Sequence, residues 1–278
     1  ARQAQYRDFG RLMADAATLF FISIFGIVVK QHEAVFETAE LAFSCAAFFG
    51  CCWALTRPYW GSALAGFACG ASILCSNLLF GATVLVGCLM SHILVRGIGD
   101  TSRKIFTTIA VAFVTFGLWP LVSYLLAGVV AGDYFNLWAQ RQIQIVGFFD
   151  PQEILWFIKH FIWYLCPVWP FAFWAIWMWR KNLTVTHIAL PLSFCFAWFV
   201  GFMLSSDVAA ETLLSVTIAP LCVLATFGLM ACNRSTKSML ELFSVAVFTL
   251  ALAGVWAYFI AWTLGFPPKM HWSILRFT

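Results

Sequence analysis

Long apolar runs, each closed by a charge or a turn signal, organise this chain. Nine stand out, at roughly 12–29, 38–56, 61–76, 79–95, 105–130, 154–179, 187–204, 212–231 and 239–262. Most have the length of a bilayer-crossing helix, about 17–25 residues. The third and fourth are divided only at Ser76-Asn77. As one helix they would run about 35 residues at 1.5 Å each and overshoot a bilayer, so two short spans around a buried turn are expected. The pattern predicts an all-α fold, a polytopic transmembrane helical bundle of about nine spans forming a single domain over 1–278.

The polar positions mark the connections. The stretch 131–153, AGDYFNLWAQRQIQIVGFFDPQE, sets Tyr134, Phe135 and Trp138 beside Arg141, Gln142 and Gln144. That mixture predicts a helix lying along the membrane surface. Asp150-Pro151-Gln152-Glu153 reads as an N-cap, a proline at the first helical position and a glutamate at the third, which starts the sixth span. Ser205-Ser206-Asp207 is expected to cap the eighth in the same way.

Composition excludes a soluble reading. With 63% hydrophobic and 10% charged residues, the chain lacks the polar surface to wrap a water-soluble core. Thirty Phe and fourteen Trp suit lipid-facing and interfacial positions. The ten cysteines lie mostly inside apolar runs, as Cys45, Cys51, Cys52, Cys69, Cys75 and Cys88 do, where a thiol acts as a small hydrophobe. No CxxC or Cys/His spacing points to a metal.

Charge adds an orientation. One alternating set of loops holds Arg2, Arg7, Arg11, Arg57, Arg96, Arg103, Lys104, Arg180, Lys181, Arg234 and Lys237. The other holds Lys30, Arg141, Lys269 and Arg276 with the acids Glu33, Glu37, Asp133, Asp150, Glu153, Asp207 and Glu211. By the positive-inside rule the N-terminus is cytoplasmic and the acidic loops face outward. Cations sorted between loops in this way speak for topology and against nucleic acid as a partner. The sequons at Asn182 and Asn233 fall on the cytoplasmic side and are read as chance matches.

Two constellations carry candidate chemistry. Glu33, Glu37 and Glu40 stand at i, i+4 and i+7, with His32 beside the first, so one helical face carries all three acids. Mutual repulsion among them suits a general base or a cation site; equally, acids favour a helix N-terminus and are simply hydrated there. Lys159 and His160 share a face with Trp156 and Trp163, with Tyr164 adjacent, just inside the sixth span. Cations within a span face a cavity or a partner, and an anionic lipid phosphate would be met by an ammonium or imidazolium; the alternative is that Lys159 snorkels to the surface. No Walker loop, dinucleotide fingerprint, zinc-protease helix or kinase signature occurs, so any driving force lies in the substrate or an ion gradient.

Several stretches resemble the multi-span lipid-linked glycosyltransferases of the aminoarabinose-transferase and protein O-mannosyltransferase superfamily, the GT-C type. The run from Ser62 through Gly66 and Gly70 to Gly81 is similar to their "GxxxGxxxLxKG" stretch. Leu118-Trp119-Pro120 followed by 133–138 resembles their proline-tryptophan span and the surface helix after it. Cys166-Pro167-Val168-Trp169-Pro170, closed by Arg180-Lys181, resembles the next such span. Phe202 to Ser206, running to Pro220, is similar to "FSLSxxKxxxYxLPxxP". Asn77 and Asp207 stand near the places of the two motif lysines. The family's first outward loop, with its catalytic acid, is expected upstream of Ala1, which makes the chain a fragment.

The resemblance implies transfer of a sugar from a polyprenyl-phosphate carrier to an acceptor on the periplasmic face of a bacterial inner membrane. Under it, Lys159 and His160 hold the carrier phosphate, assisted by Arg141 and Tyr164. Glu33 and Glu37 remain as candidates for acceptor or divalent-cation contacts. The implied partners are the lipid-linked donor, membrane lipids, and a missing segment or partner subunit. Two other readings stand beside it: a secondary transporter using Glu33, Glu37 and Lys159 as ligands, and a membrane subunit without chemistry.

Overall fold

The computed structural model describes residues 2–30, 36–95, 98–147, 153–205 and 212–265, and every element among them is an α-helix. One isolated antiparallel bridge joins Val146 to Ser205. The chain divides into two compact units, Ala1–Met230 and Ala231–Thr278. In order, the helices are α1 (Arg2–Ser23), α2 (Phe25–Lys30), α3 (Phe36–Trp53), α4 (Pro58–Cys75), α5 (Leu78–Leu94), α6 (Thr101–Ala127), α7 (Val129–Ile145), α8 (Glu153–Tyr164), α9 (Val168–Met178), α10 (Thr186–Met203), α11 (Ser215–Ala231) and α12 (Arg234–Leu264).

Glycines set how closely the helices of the first unit approach. A Cβ on Gly50 would lie 2.7 Å from the Ala65 nitrogen, and one on Gly70 would lie 2.7 Å from the Ala112 carbonyl oxygen. These contacts lock α3 against α4 and α4 against α6. Small residues at helix contacts are how helices associate where lipid removes any hydrophobic drive between them. α10 packs on α5, with Phe194 against Gly87 and the Ser193 hydroxyl donating to the Gly87 carbonyl at 3.4 Å. Phe80, Val84, Cys88 and Phe194 fill the core of this group. A second core gathers Leu165, Val168, Ile188, Ile218 and Leu224 from α9, α10, α11 and the segment before α9.

The apolar runs at 61–76 and 79–95 form two helices divided at Ser76-Asn77. They run antiparallel, with Cys69 Sγ 3.7 Å from Cys88 Sγ. Asn77 makes the division, because its side chain accepts from the Phe80 N–H at 2.8 Å as the N-cap of α5.

Two other runs that read as single helices are broken. The run 154–179 becomes α8 and α9, bent by 95°. Pro167 lacks an N–H and disfavours helix at the residue before it, which accounts for the position of that break. The run 12–29 is interrupted at Ile24. There the Phe25 N–H donates to the Cys166 carbonyl at 3.1 Å, and the Tyr164 ring fills the space beside Gly26. This second break has a tertiary cause.

α6 and α10 are each long and apolar enough to cross a membrane, and the bent α8–α9 pair makes a third such element if taken as one span. α5, α11 and the stretch Phe248–Leu264 of α12 are apolar but shorter. α6 presents Phe106 and Phe113 on one face at 74% and 75% exposure, and Leu126 near its end at 84%, surfaces suited to lipid and not to water. The segment expected along the membrane surface is helical from Val129 to Ile145. It turns at Gly128, with φ of +54°, and packs Tyr134, Phe135 and Trp138 on Trp119 of α6. Asp150 and Pro151 of the expected cap, and Ser206 and Asp207 of the other, lie outside the described residues. In the second unit, α12 leaves Leu242, Phe248, Leu250 and Val255 exposed and ends at Gly265 in the left-handed region.

Candidate functional site

α8 is oriented by its buried Phe157, whose ring centroid lies 3.9 Å from that of Phe202 and 5.7 Å from that of Trp198 on α10. That anchorage turns Lys159 outward. The lysine is exposed among the exposed side chains of Ile158, Ile162 and Trp163, while His160 is partly buried. Tyr164 points the other way and is buried against Gly26 of α2. Lys159 and Trp163 share the predicted face, but it turns away from the bundle interior, as the snorkelling alternative expects for Lys159, and Tyr164 serves the α2–α8 contact. The side chain of Trp156 lies outside the described set.

Arg141 is exposed on α7. Its neighbour Gln142 accepts from the Leu78 N–H at 2.8 Å, and the Gly147 N–H donates to the Leu204 carbonyl at 3.2 Å. α7 therefore bridges the start of α5 and the end of α10.

The acidic face is only partly described, because Glu33 and His32 lie outside the described residues. Glu37 stands in the first turn of α3 and is partly buried. Glu40, one turn further on, is only 4% exposed, and its Oε2 is sealed from solvent with no hydrogen-bond partner. The Ser76 side chain lies against its carboxyl group, with Cys75 nearby. Asn77 Nδ2 donates to Ser76 Oγ at 3.0 Å, which leaves the serine's own hydrogen to face the carboxyl. Among the described residues no group of three or more His, Cys, Asp and Glu is placed to hold a metal ion.

The other end of α4 carries a cluster that the sequence did not single out. Lys104, the fourth residue of α6, is only 3% exposed. Thr108, one turn along the same face, donates to the Ser62 carbonyl at 3.3 Å and lies 3.2 Å from His92 Nε2. The threonine has a single proton to give, so His92 Nε2 is the donor in that second contact. Ser62 Oγ is sealed and unpartnered. The signal available beforehand was the glycine and serine spacing of α4, which permits a close approach to α6. Two clefts complete the surface. An apolar one of about 260 Å³ lies between α5 and α10 beside Met90, Leu94, Leu192 and Phe196, and a more open one of about 440 Å³ is lined by Tyr59, Ser102, Arg103 and Phe106. Neither is lined by the residues predicted from sequence. Set against protein-family models, curated proteins and solved structures, the chain matches none of them.

Proposed function

We propose that this chain is a nine-span protein of a bacterial inner membrane, cytoplasmic at its N-terminus, which transfers a sugar from a polyprenyl-phosphate carrier. The span count and orientation rest on the apolar runs and the charge sorting. The chemistry rests on the stretches similar to GT-C glycosyltransferases. One structural observation carries the assignment of the carrier site: the Lys159 ammonium is set among exposed Ile158, Ile162 and Trp163. A cation on an apolar, aromatic surface fits a ligand that is itself a phosphate on a hydrocarbon chain. In this reading the acceptor hydroxyl attacks the anomeric carbon and the bond to the carrier phosphate breaks. Lys159, with His160 and Arg141, stabilises the negative charge that gathers on the departing phosphate. Glu33 or Glu37, on the acceptor side, takes the hydroxyl proton as general base.

Native mass spectrometry with added polyprenyl phosphate tests the carrier site. The wild type should retain the lipid about tenfold better than Lys159→Ala, the ratio expected for one charge-assisted contact. Lys159→Arg should fall between them, because a phosphate accepts either cation in different geometry. Equal retention by wild type and Lys159→Ala sinks the assignment. The second reading, a cation-coupled transporter, is favoured by the 95° break between α8 and α9, since transporters build sites from interrupted helices.

A further inference from the structure

Glu40 sits in an environment that its charge alone cannot tolerate. It is 4% exposed, and one carboxyl oxygen is sealed and unpartnered. An ionised carboxylate in an apolar interior needs a counter-charge, and a neutral one needs a proton. A positive species belongs there in either case. No described residue supplies it: the ion pairs among the described residues are Arg11–Asp8 and Arg103–Asp100.

The neighbours of Glu40 narrow the choice. Its own helix adds Glu37, a like charge, and α4 adds the Cys75 thiol and the Ser76 hydroxyl. From the turn into α5 comes the neutral amide of Asn77, and the first turn of α5 has no ionisable side chain. α11 contributes the Ser215 carbonyl, which accepts from Ser44 Oγ at 3.1 Å one turn deeper along α3. α10, which also packs on α3, brings Phe194 against Phe48 and no charge. Arg141 of α7, beside the Gln142 that caps Leu78, is exposed and makes no ion pair. Among the described residues the carboxyl group therefore meets the Ser76 hydroxyl and neutral groups, and no counter-charge.

We infer that Glu40, beside the Ser76 hydroxyl that the Asn77 amide holds in place at the α4–α5 turn, binds a small monovalent cation, either a proton or an alkali-metal ion. A single carboxylate balances a single charge. A divalent ion would leave its second charge uncompensated in an apolar interior. Partly buried Glu37 lies between Glu40 and the start of α3, and it provides a polar approach for the ion. The inference stands independently of the carrier site on α8.

A carbodiimide that attacks protonated carboxyl groups in apolar surroundings tests the site on the purified full chain, with the modified residue located by peptide mass spectrometry. Glu40 should be modified faster as pH falls. If the ion is a proton, sodium chloride and choline chloride have the same effect. If it is an alkali-metal ion, sodium chloride but not choline chloride slows the labelling about tenfold when the salt is near ten times its dissociation constant. Glu40→Gln removes the label, and it also removes any rise in melting temperature that sodium brings to the wild type. Two results overturn the inference: a folded protein in which Glu40 stays unlabelled at every pH while Glu37 reacts, or labelling of Glu40 that neither pH nor sodium changes.

Discussion

At one end of the α3–α6 bundle Lys104 is buried beside His92; at the other, Glu40 is buried beside Ser76. Ser62, bonded to Thr108 one turn from Lys104, and Ser76, beside Glu40 just past the end of α4, are separated by about 21 Å of helix rise. Both charges are almost fully covered, yet the atoms that carry them fare differently. The sealed, unpartnered side-chain atoms among the described residues include Glu40 Oε2 and do not include the Lys104 ammonium. Stem length explains the difference. Four methylenes carry the ammonium past Gly99, where a Cβ would lie 3.6 Å from Lys104 Cε, toward the end of α5. A helix C-terminus is a favourable place for a cation. Glutamate has two methylenes and cannot leave the site in which its helix places it. A long stem moves its charge to the edge of the packed site, and a short one must be met by something that comes to it.

The largest effect tests whether the two ends lie on opposite faces of a membrane. In a background without the ten native cysteines, a cysteine at exposed Ser102 should react only with reagent on the cytoplasmic side, and one at exposed Gln144 only from outside. Labelling of both from one side would place the two charges at the same surface and break the comparison.

Next in size is the packing of α3 on α4 toward the Lys104 end. A Cβ on Gly61 collides with the backbone of Ala54. Gly61→Val should cost about 3 kcal/mol or more in thermal unfolding, at the upper end of overpacking effects, because backbone cannot give way. A loss under about 1 kcal/mol would mean that α3 and α4 can part at this end.

The two helix caps compare the ends at smaller cost. Asn77 caps α5 at the Glu40 end and is buried, and Asp100 caps α6 at the Lys104 end and is exposed. Either change to Ala should cost about 0.5–2 kcal/mol, with Asn77→Ala nearer the top of that range. Asn77→Ala should also weaken the cation response assigned to Glu40, and Asp100→Ala should leave it intact. The smallest effect belongs to Lys104→Met. Replacing a buried cation with an apolar chain of similar length should leave stability within about 1 kcal/mol of wild type, or raise it. A large loss would show that the ammonium holds the end of α5 in place.

The apolar runs and their charge boundaries told of a helical protein built for lipid, and small polar pairs such as Ser76-Asn77 marked where one helix stops and the next begins. These features are local. A helix that must meet lipid needs a continuous apolar surface, and its cap needs one side chain a few residues away, so both are written in consecutive positions. The shared face of Glu37 and Glu40 was also legible, because helical period alone places them together. What lay beyond reading was which side of that face the bundle would cover. Burial of Glu40 depends on the α4–α5 turn some 36 positions later, and burial of Lys104 on the glycine contacts of α4 with α6. The break at Ile24 likewise depends on the distant Cys166 carbonyl and Tyr164 ring. By itself the sequence determined the apolar helices and most of their ends. Only tertiary structure decided which charges are sealed, because packing joins residues whose separation along the chain carries no periodic signal.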